Sequence, residues 1–301
     1  MRRINLKNYL FRVFTSFMYA TQFAIRIRNL ENNLRLITNY SANTSEVVSI
    51  FQDFFTKLHI STPINYDLTR IGSKGDGGYL LVNNFSENNI VISFGIGQNV
   101  DAELFFATQK INVIMFDGTI SKIPKNHKYF TFIPKNIFGG GTYRMETQID
   151  QIEINKVFKE IIPSLIDSDI RFKTVTNDVK YILLIDIEGH EYESLLFLDT
   201  IYLERCDQIV VEFHDIYTEL TASNSNLKKC LDKLNKTHQV VAVHGNNYGG
   251  SIHIRGNDYP DVVEISWLNR NFYEFSGGIN TFNHPLSSPN NIKLDDLRNS
   301  W

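Results

Sequence analysis

The sequence predicts an α/β fold: a doubly wound, mostly parallel sheet with an antiparallel last strand, preceded by a helical N-terminal extension. Three observations lead there. From residue 90 to 244, short apolar runs of strand length alternate with segments of helical spacing, as in a parallel sheet whose crossovers are helices. The run 181–185 (Tyr-Ile-Leu-Leu-Ile) is apolar without alternation, the pattern of a strand covered on both faces. The last two strand-like runs, 239–244 and 262–267, follow one another with no helical segment between them, so one of them is expected to run antiparallel.

At 301 residues and 43 % hydrophobic content, the chain can bury a full core. It divides into a basic helical extension (1–60), a main domain (61–282) and an irregular tail rich in Pro, Ser, Asn and Asp (283–301). The net charge of −3 conceals an asymmetry. Residues 1–30 hold six Lys/Arg and no acid, which leaves 24 basic against 33 acidic residues, or −9, for the remainder. An acidic body repels a phosphate backbone, so nucleic acid is not expected as its partner. Two cysteines, Cys206 and Cys230, make neither a disulfide framework nor a metal spacing, which suits a reducing, cytoplasmic setting. The apolar stretch 8–25 is broken by Arg12, Thr15, Ser16, Thr21 and Gln22. It is too polar and short to span a bilayer and lacks a clean signal-peptide pattern. Two readings stay open for residues 1–30: a helix packed on its own domain or on a second subunit, or a basic helix lying on the inner face of an anionic membrane.

The elements follow in order. Residues 44–58 carry apolar side chains at Val47, Ile50, Phe51, Phe54, Phe55 and Leu58 behind an N-cap candidate, Thr44, and should form a helix packed on the sheet. Four glycines within 72–78 force a tight turn before a short strand, bringing backbone close either to a ligand or to another strand. Strands are expected at 90–94, 111–117, 129–134, 181–185, 208–215, 239–244 and 262–267. Helices are expected at 100–110, 147–162, 191–198 and 225–236, with a polar Gly-rich loop at 139–142.

In open sheets of this kind, ligands bind in the crevice beyond the carboxyl ends of the strands. Gly95-Ile96-Gly97 leaves the first strand there, and Asp117 ends the next strand about 20 residues on, the spacing at which an acid meets ribose hydroxyls. The pair points to an adenosine-type cofactor. Position 100 is Val, so the third glycine of the dinucleotide fingerprint is missing, and Asp101 in the first helical turn repels a pyrophosphate while tolerating a cation. S-adenosylmethionine, a sulfonium with an amine and no phosphate, fits these residues better than NAD.

The succession Asp76-Gly77-Gly78-Tyr79, Ser93-Phe-Gly-Ile-Gly97, Phe116-Asp117, Leu184-Ile-Asp-Ile-Glu-Gly-His-Glu191, His244-Gly-Asn-Asn247, the acidic strand 262–265 and Pro289-Asn290 resembles the FkbM-type S-adenosylmethionine-dependent methyltransferases over about residues 66–291. The resemblance implies a class I methyltransferase, Rossmann-like fold. It also implies a cofactor held among Asp76, Gly77, Gly78, Tyr79, Gly95, Gly97, Asp117 and Asp186, and O-methylation, often of sugar hydroxyls. His190 stands where Ala is common in the family.

Methyl transfer from a sulfonium to an alcohol is an in-line displacement that needs the reactants aligned and the hydroxyl proton removed. Candidate catalytic residues are Asp186, His190, His214 and His244, at or near strand ends. Glu212 and His214 share a strand face by the two-residue period, and Glu212, within Ile-Val-Val-Glu-Phe, needs a cation, a proton or a hydrogen-bond partner. Asp186, Glu212 and His214 could together hold Mg²⁺ or Mn²⁺, since two carboxylates and an imidazole suit those ions better than a structural zinc. Alternatively, Glu212 and His214 pair with each other or with Asn246 and order the site, leaving His190 or His244 as base. Glu188 and Glu191, at a helix start, read equally well as acids that complement the dipole. The aromatic segments 272–275 and 246–248 either line a sugar site or belong to the core, and Arg171 and Lys173 either meet a sugar-nucleotide phosphate or are solvated.

The function expected is a cytoplasmic S-adenosylmethionine-dependent O-methyltransferase of a carbohydrate or sugar-nucleotide hydroxyl, in surface or capsule polysaccharide assembly. Its rivals are a methyltransferase of another small molecule or of a protein, and a non-catalytic Rossmann-like module that binds a partner.

Overall fold

The computed structural model describes residues 44–139, 150–249, 251–254, 257–278, 284–294 and 296–297. The basic leader 1–30, with its membrane or subunit contact, lies outside them, as does most of the Gly-rich loop at 139–142. By its contacts the chain from Ile50 onward forms one compact unit. Helix α1 (Thr44–Lys57) runs into it: Phe51, Phe54, Phe55 and, just past it, Leu58 are core residues, and the Phe51 ring lies 5.0 Å from that of Tyr259 and 6.2 Å from that of Tyr217.

Seven strands build the central sheet: β1 (Asn89–Phe94), β2 (Asn112–Phe116), β3 (Phe130–Ile133), β4 (Lys180–Ile185), β5 (Cys206–Phe213), β6 (His238–Gly245) and β7 (Val263–Asn269). Their spatial order is β6-β7-β5-β4-β1-β2-β3. All run parallel except β7, which opposes both β5 and β6. The antiparallel last strand expected from the sequence is present, and it is threaded between β5 and β6 instead of being added at an edge.

Strands β1, β2, β5, β6 and β7 are buried at every position, which is why their sequences do not alternate. One face is covered by α2 (Asp101–Thr108) and by a hairpin of Leu68–Gly72 with Gly78–Val82: Phe106, Ile71 and Leu81 pack with Val91, Val113, Ile182, Leu184 and Val210. On the other face, Tyr192 of α3 (Glu191–Phe197) lies 5.3 Å from Phe213. The two-residue period then fixes where the acids point. Asp186 continues the face of Ile182 and Leu184, and Glu212 that of Val210, toward the hairpin.

Two segments depart from the sequence expectation. The helix expected at 147–162 begins later, because Gln151–Glu153 pairs as a strand with Asn136–Phe138; helical residues then run from 154 to 168, with a π turn at Val157–Ile161. Strand pairing, a tertiary effect, overrides the local apolar spacing there. Between β6 and β7, where the sequence assigned no element, Ser251–Ile254 pairs antiparallel with Asn257–Pro260. No helix among the described residues is long and apolar enough to cross a membrane.

Candidate active site

The strand order reverses between β1 and β4, so the crevice beyond their carboxyl ends is the topological switch point where open α/β sheets bind ligands. β1 empties there into Gly95-Ile96-Gly97 and β4 into Asp186. The two exits are pressed together: the Asp186 N–H donates to the Phe94 carbonyl (2.9 Å), and a Cβ on Gly95 would fall 1.7 Å from the Asp186 carbonyl oxygen. With φ at +77° as well, position 95 admits only glycine. Gly97 (φ +48°) differs, because no atom of the described residues beyond its chain neighbours lies within 4 Å of where its Cβ would stand. The turn opens onto free space at that point.

Asp117 shapes this turn. Its Oδ2 accepts the N–H groups of Ile96 (3.1 Å) and Gly97 (2.9 Å), and its Oδ1 accepts the N–H (2.7 Å) and hydroxyl (2.5 Å) of Thr119. A carboxylate has about four lone-pair sites, and all are occupied. A ribose hydroxyl meeting Asp117 would share or displace one of these donors, such as Thr119. At the start of α2, Asp101 pairs with Lys125 at 2.5 Å, while Glu103 is buried and accepts the Ser93 hydroxyl at 2.6 Å. Burial pushes the Glu103 carboxyl up to about 7.

The hairpin turn approaches other parts of the chain. The Asp76 carbonyl accepts Asn99 Nδ2 from the glycine turn (2.8 Å), and the Asp76 N–H donates to the Asn290 carbonyl of the tail (3.0 Å). Gly77 lies against Asn99, and Gly78 against Arg70, whose guanidinium holds the Ser73 and Gly75 carbonyls. Tyr79 is buried; burial first, then the carboxylates of Asp186, Glu212, Glu264 and Glu103, raise its hydroxyl well above the usual tyrosine range.

Asp186, Glu212 and His214 come together as the sequence implied, with their nearest ligand atoms all within 4.8 Å of one another. His214 Nε2 stands 3.6 Å from Glu212 Oε1, 3.9 Å from Asp186 Oδ1 and 3.6 Å from the carboxylate of Glu188, which is 78 % exposed. Burial pushes the Asp186 carboxyl up to about 7 despite His214. Burial also holds Glu212 well above the carboxylate range, reinforced by Asp186 and Glu264. For His214, burial works downward but is outweighed by the Glu191 hydrogen bond and by the charges of Glu191, Glu212 and Asp186, so the imidazole rises to about 10. Asn246 Nδ2 donates to Glu212 Oε1 at 2.9 Å, one of the two pairings foreseen for it.

Glu191 is more than a helix-start acid. Its side chain has 0 % exposure, its Oε1 lies 3.0 Å from His214 Nδ1, and its Oε2 accepts the Gly189 N–H at 2.8 Å. Both ring nitrogens of His244 face acids: Nδ1 stands 3.3 Å from Glu264 and Nε2 3.3 Å from Asp296. Burial opposes its charge, but those two acids win and raise it to about 9. Across the sheet Glu212, Glu264 and His244 stand in one row, each opposite the next. His190 occupies the N-cap of α3 without a capping bond and enters no ion pair among the described residues. Tyr273 is core, with its hydroxyl shared by Asn84 and Asp207, and Arg171 is bonded to Asp169, Thr131 and two carbonyls.

No protein-family model matches the chain, and no curated protein matches it.

Proposed function

We propose that the protein is an S-adenosylmethionine-dependent O-methyltransferase acting on a carbohydrate or sugar-nucleotide hydroxyl. The juxtaposition of Gly95 and Asp186 carries this reading: the glycine turn and the acidic cluster share one crevice at the switch point. The turn, with its open space at Gly97, receives the cofactor, and the cluster beside it receives the acceptor. Two features support it. The sheet departs from the dinucleotide-binding order 3-2-1-4-5-6 by the antiparallel strand between the fifth and sixth, in keeping with the class I methyltransferase fold that the sequence resemblance implies. The first turn of α2 carries Asp101, a carboxylate shared with Lys125, where a pyrophosphate would meet like charge and a sulfonium would not.

In the reaction a lone pair of the acceptor oxygen forms the O–CH₃ bond as the S–CH₃ bond breaks. The bonding pair goes to sulfur, giving the neutral thioether S-adenosylhomocysteine, and the hydroxyl proton must leave. Glu191 holds His214 Nδ1, and Glu264 and Asp296 flank the two ring nitrogens of His244, so of the candidates Asp186 is left to act as the base. Asp186, pushed up to about 7 by burial, faces the crevice and accepts the proton. The exposed Glu188 carboxylate beside it offers an acceptor to a neighbouring sugar hydroxyl.

Thermal denaturation with S-adenosylmethionine, S-adenosylhomocysteine and NAD tests the cofactor, because a ligand that binds only the folded chain stabilises it by about 2.7 kcal/mol at a hundred times its Kd. Stabilisation by the first two is expected, followed by transfer of radiolabelled methyl to members of a nucleotide-sugar panel. A shift with NAD alone overturns the reading, and no shift with any of the three favours a non-catalytic binding module.

A further inference from the structure

We propose that Asp186, Glu212 and His214 form a preorganised site for one divalent cation of the Mg²⁺ or Mn²⁺ type, with Glu191 as the positioning residue that aims the imidazole. The site goes beyond the cofactor assignment and stands on the cluster alone. Only its use in catalysis rests on the methyl-transfer reading: with an ion bound, Asp186 would serve as its ligand and the ion would acidify the acceptor hydroxyl, in place of the proton acceptance given to metal-free Asp186.

Unsatisfied oxygens point to a missing positive charge. The Glu212 side chain is 6 % exposed, yet its Oε2 is buried without a hydrogen-bond partner, and the same holds for Asp186 Oδ1. Buried carboxylate oxygens are tolerated only with a donor, a proton or a cation, and the single imidazole between them donates to neither. Spacing agrees. Ligands about 2.1 Å from an ion stand about 3.0 Å apart in cis and about 4.2 Å apart in trans. The imidazole-to-carboxylate separations of 3.6 and 3.9 Å therefore need only small adjustments to close on one ion.

The surroundings hold the ligands in that posture. Asn246 pins one oxygen of Glu212. Glu191, itself anchored by the Gly189 N–H, takes the His214 Nδ1 side and leaves Nε2 facing the two acids. A carboxylate behind a ligating histidine fixes its tautomer and raises its basicity. Two hard oxygen donors and one nitrogen suit Mg²⁺ or Mn²⁺, which fill their remaining octahedral positions with water or substrate oxygens.

The test is Mn²⁺ binding to the chelator-treated full-length protein without cofactor, followed by electron paramagnetic resonance, with spin-echo detection of a coupled histidine nitrogen. One Mn²⁺ per chain with nitrogen coupling is expected. Glu212→Gln and His214→Ala should abolish binding. Glu191→Gln, which nearly preserves shape, should weaken it about 10–100-fold while leaving the S-adenosylhomocysteine thermal shift in place. Melting curves identify any variant that fails to fold, and the Glu191→Gln arm and the wild-type nitrogen coupling decide without it. Wild type that leaves millimolar Mn²⁺ free, or binds it without nitrogen coupling or equally well in Glu191→Gln, overturns the site even if S-adenosylmethionine binds. Specific Mn²⁺ binding with no response to S-adenosylmethionine keeps the site and removes the methyl-transfer reading.

Discussion

Glu191 and His214 are joined twice: Glu191 Oε1 accepts the backbone N–H of His214 at 2.7 Å and lies 3.0 Å from its Nδ1. With Oε2 on the Gly189 N–H, one buried carboxylate ties the exit of β4, the start of α3 and the end of β5 into a single joint. The direction of His214 Nε2 toward Asp186 and Glu212 is thus set by backbone as well as by ring, which is what a precise site requires of its supports.

Removing that joint should be costly. Glu191→Ala leaves the His214 ring, 15 % exposed, and two backbone N–H groups without their acceptor, and breaking a buried pair from one side costs about 3–5 kcal/mol. Glu191→Gln keeps one accepting oxygen and should lose clearly less. Urea unfolding compares them, and equal losses would mean that side-chain packing, not charge, holds the joint.

The parallel core was legible because continuous apolar runs such as 181–185 can only be doubly covered strands, and the lack of a helix before 262–267 announced the reversal of β7. Asp186, Glu212 and His214 were legible because strand ends in an open sheet share one edge. Glu191 was not, since its bond to His214 joins a helix start to a strand end and follows no periodicity. The partners of His244 were hidden for the same reason: the register that sets Glu264 opposite it, and the tail contact of Asp296, exist only once the sheet is closed. Asp117 was found by its spacing, while its bonds to the Ile96 and Gly97 N–H groups follow no periodicity.

Acid sensitivity should come in part from His238. The ring is fully buried between the Cys206 carbonyl (3.0 Å) and the Thr237 hydroxyl (2.7 Å), and burial lowers it to about 4 from 6.5. The neutral ring is the favoured form in the folded state. Its contribution is therefore fully present above pH 6.5 and is lost as pH falls through about 4, up to about 3 kcal/mol in all. His238→Gln removes the titration. Urea unfolding between pH 7 and 4 should show the wild type losing that much more than the variant; parallel pH profiles would exclude His238 as the source.

Asp117 should govern the cofactor turn. Asp117→Ala leaves the Ile96 and Gly97 N–H groups and Thr119 without their acceptor, a loss of about 2–4 kcal/mol. Asp117→Asn can serve one pair of donors but turns an amide N–H₂ toward the other, so an intermediate loss is expected. Both should weaken S-adenosylmethionine at least about tenfold, or about 1.4 kcal/mol, because the turn that receives it is no longer fixed. Calorimetric titration of the folded variants measures this, and unchanged affinity in Asp117→Ala would remove the turn from the binding site.

The two glycines of that turn separate folding from binding. Gly95→Ala sets a methyl group 1.7 Å from the Asp186 carbonyl oxygen in a left-handed conformation, so the β4 exit must move. A loss of more than about 3 kcal/mol is expected, with the fold itself compromised. Gly97→Ala meets no neighbour and bears only the left-handed conformation, about 1–2 kcal/mol. It should fold with a modestly lowered melting temperature. Its methyl group, however, enters the open space where the cofactor is placed, so its thermal response to S-adenosylmethionine and S-adenosylhomocysteine should be largely lost. A folded Gly97→Ala protein that responds like wild type would place the cofactor away from this turn, because no bound molecule in that space could ignore the added carbon.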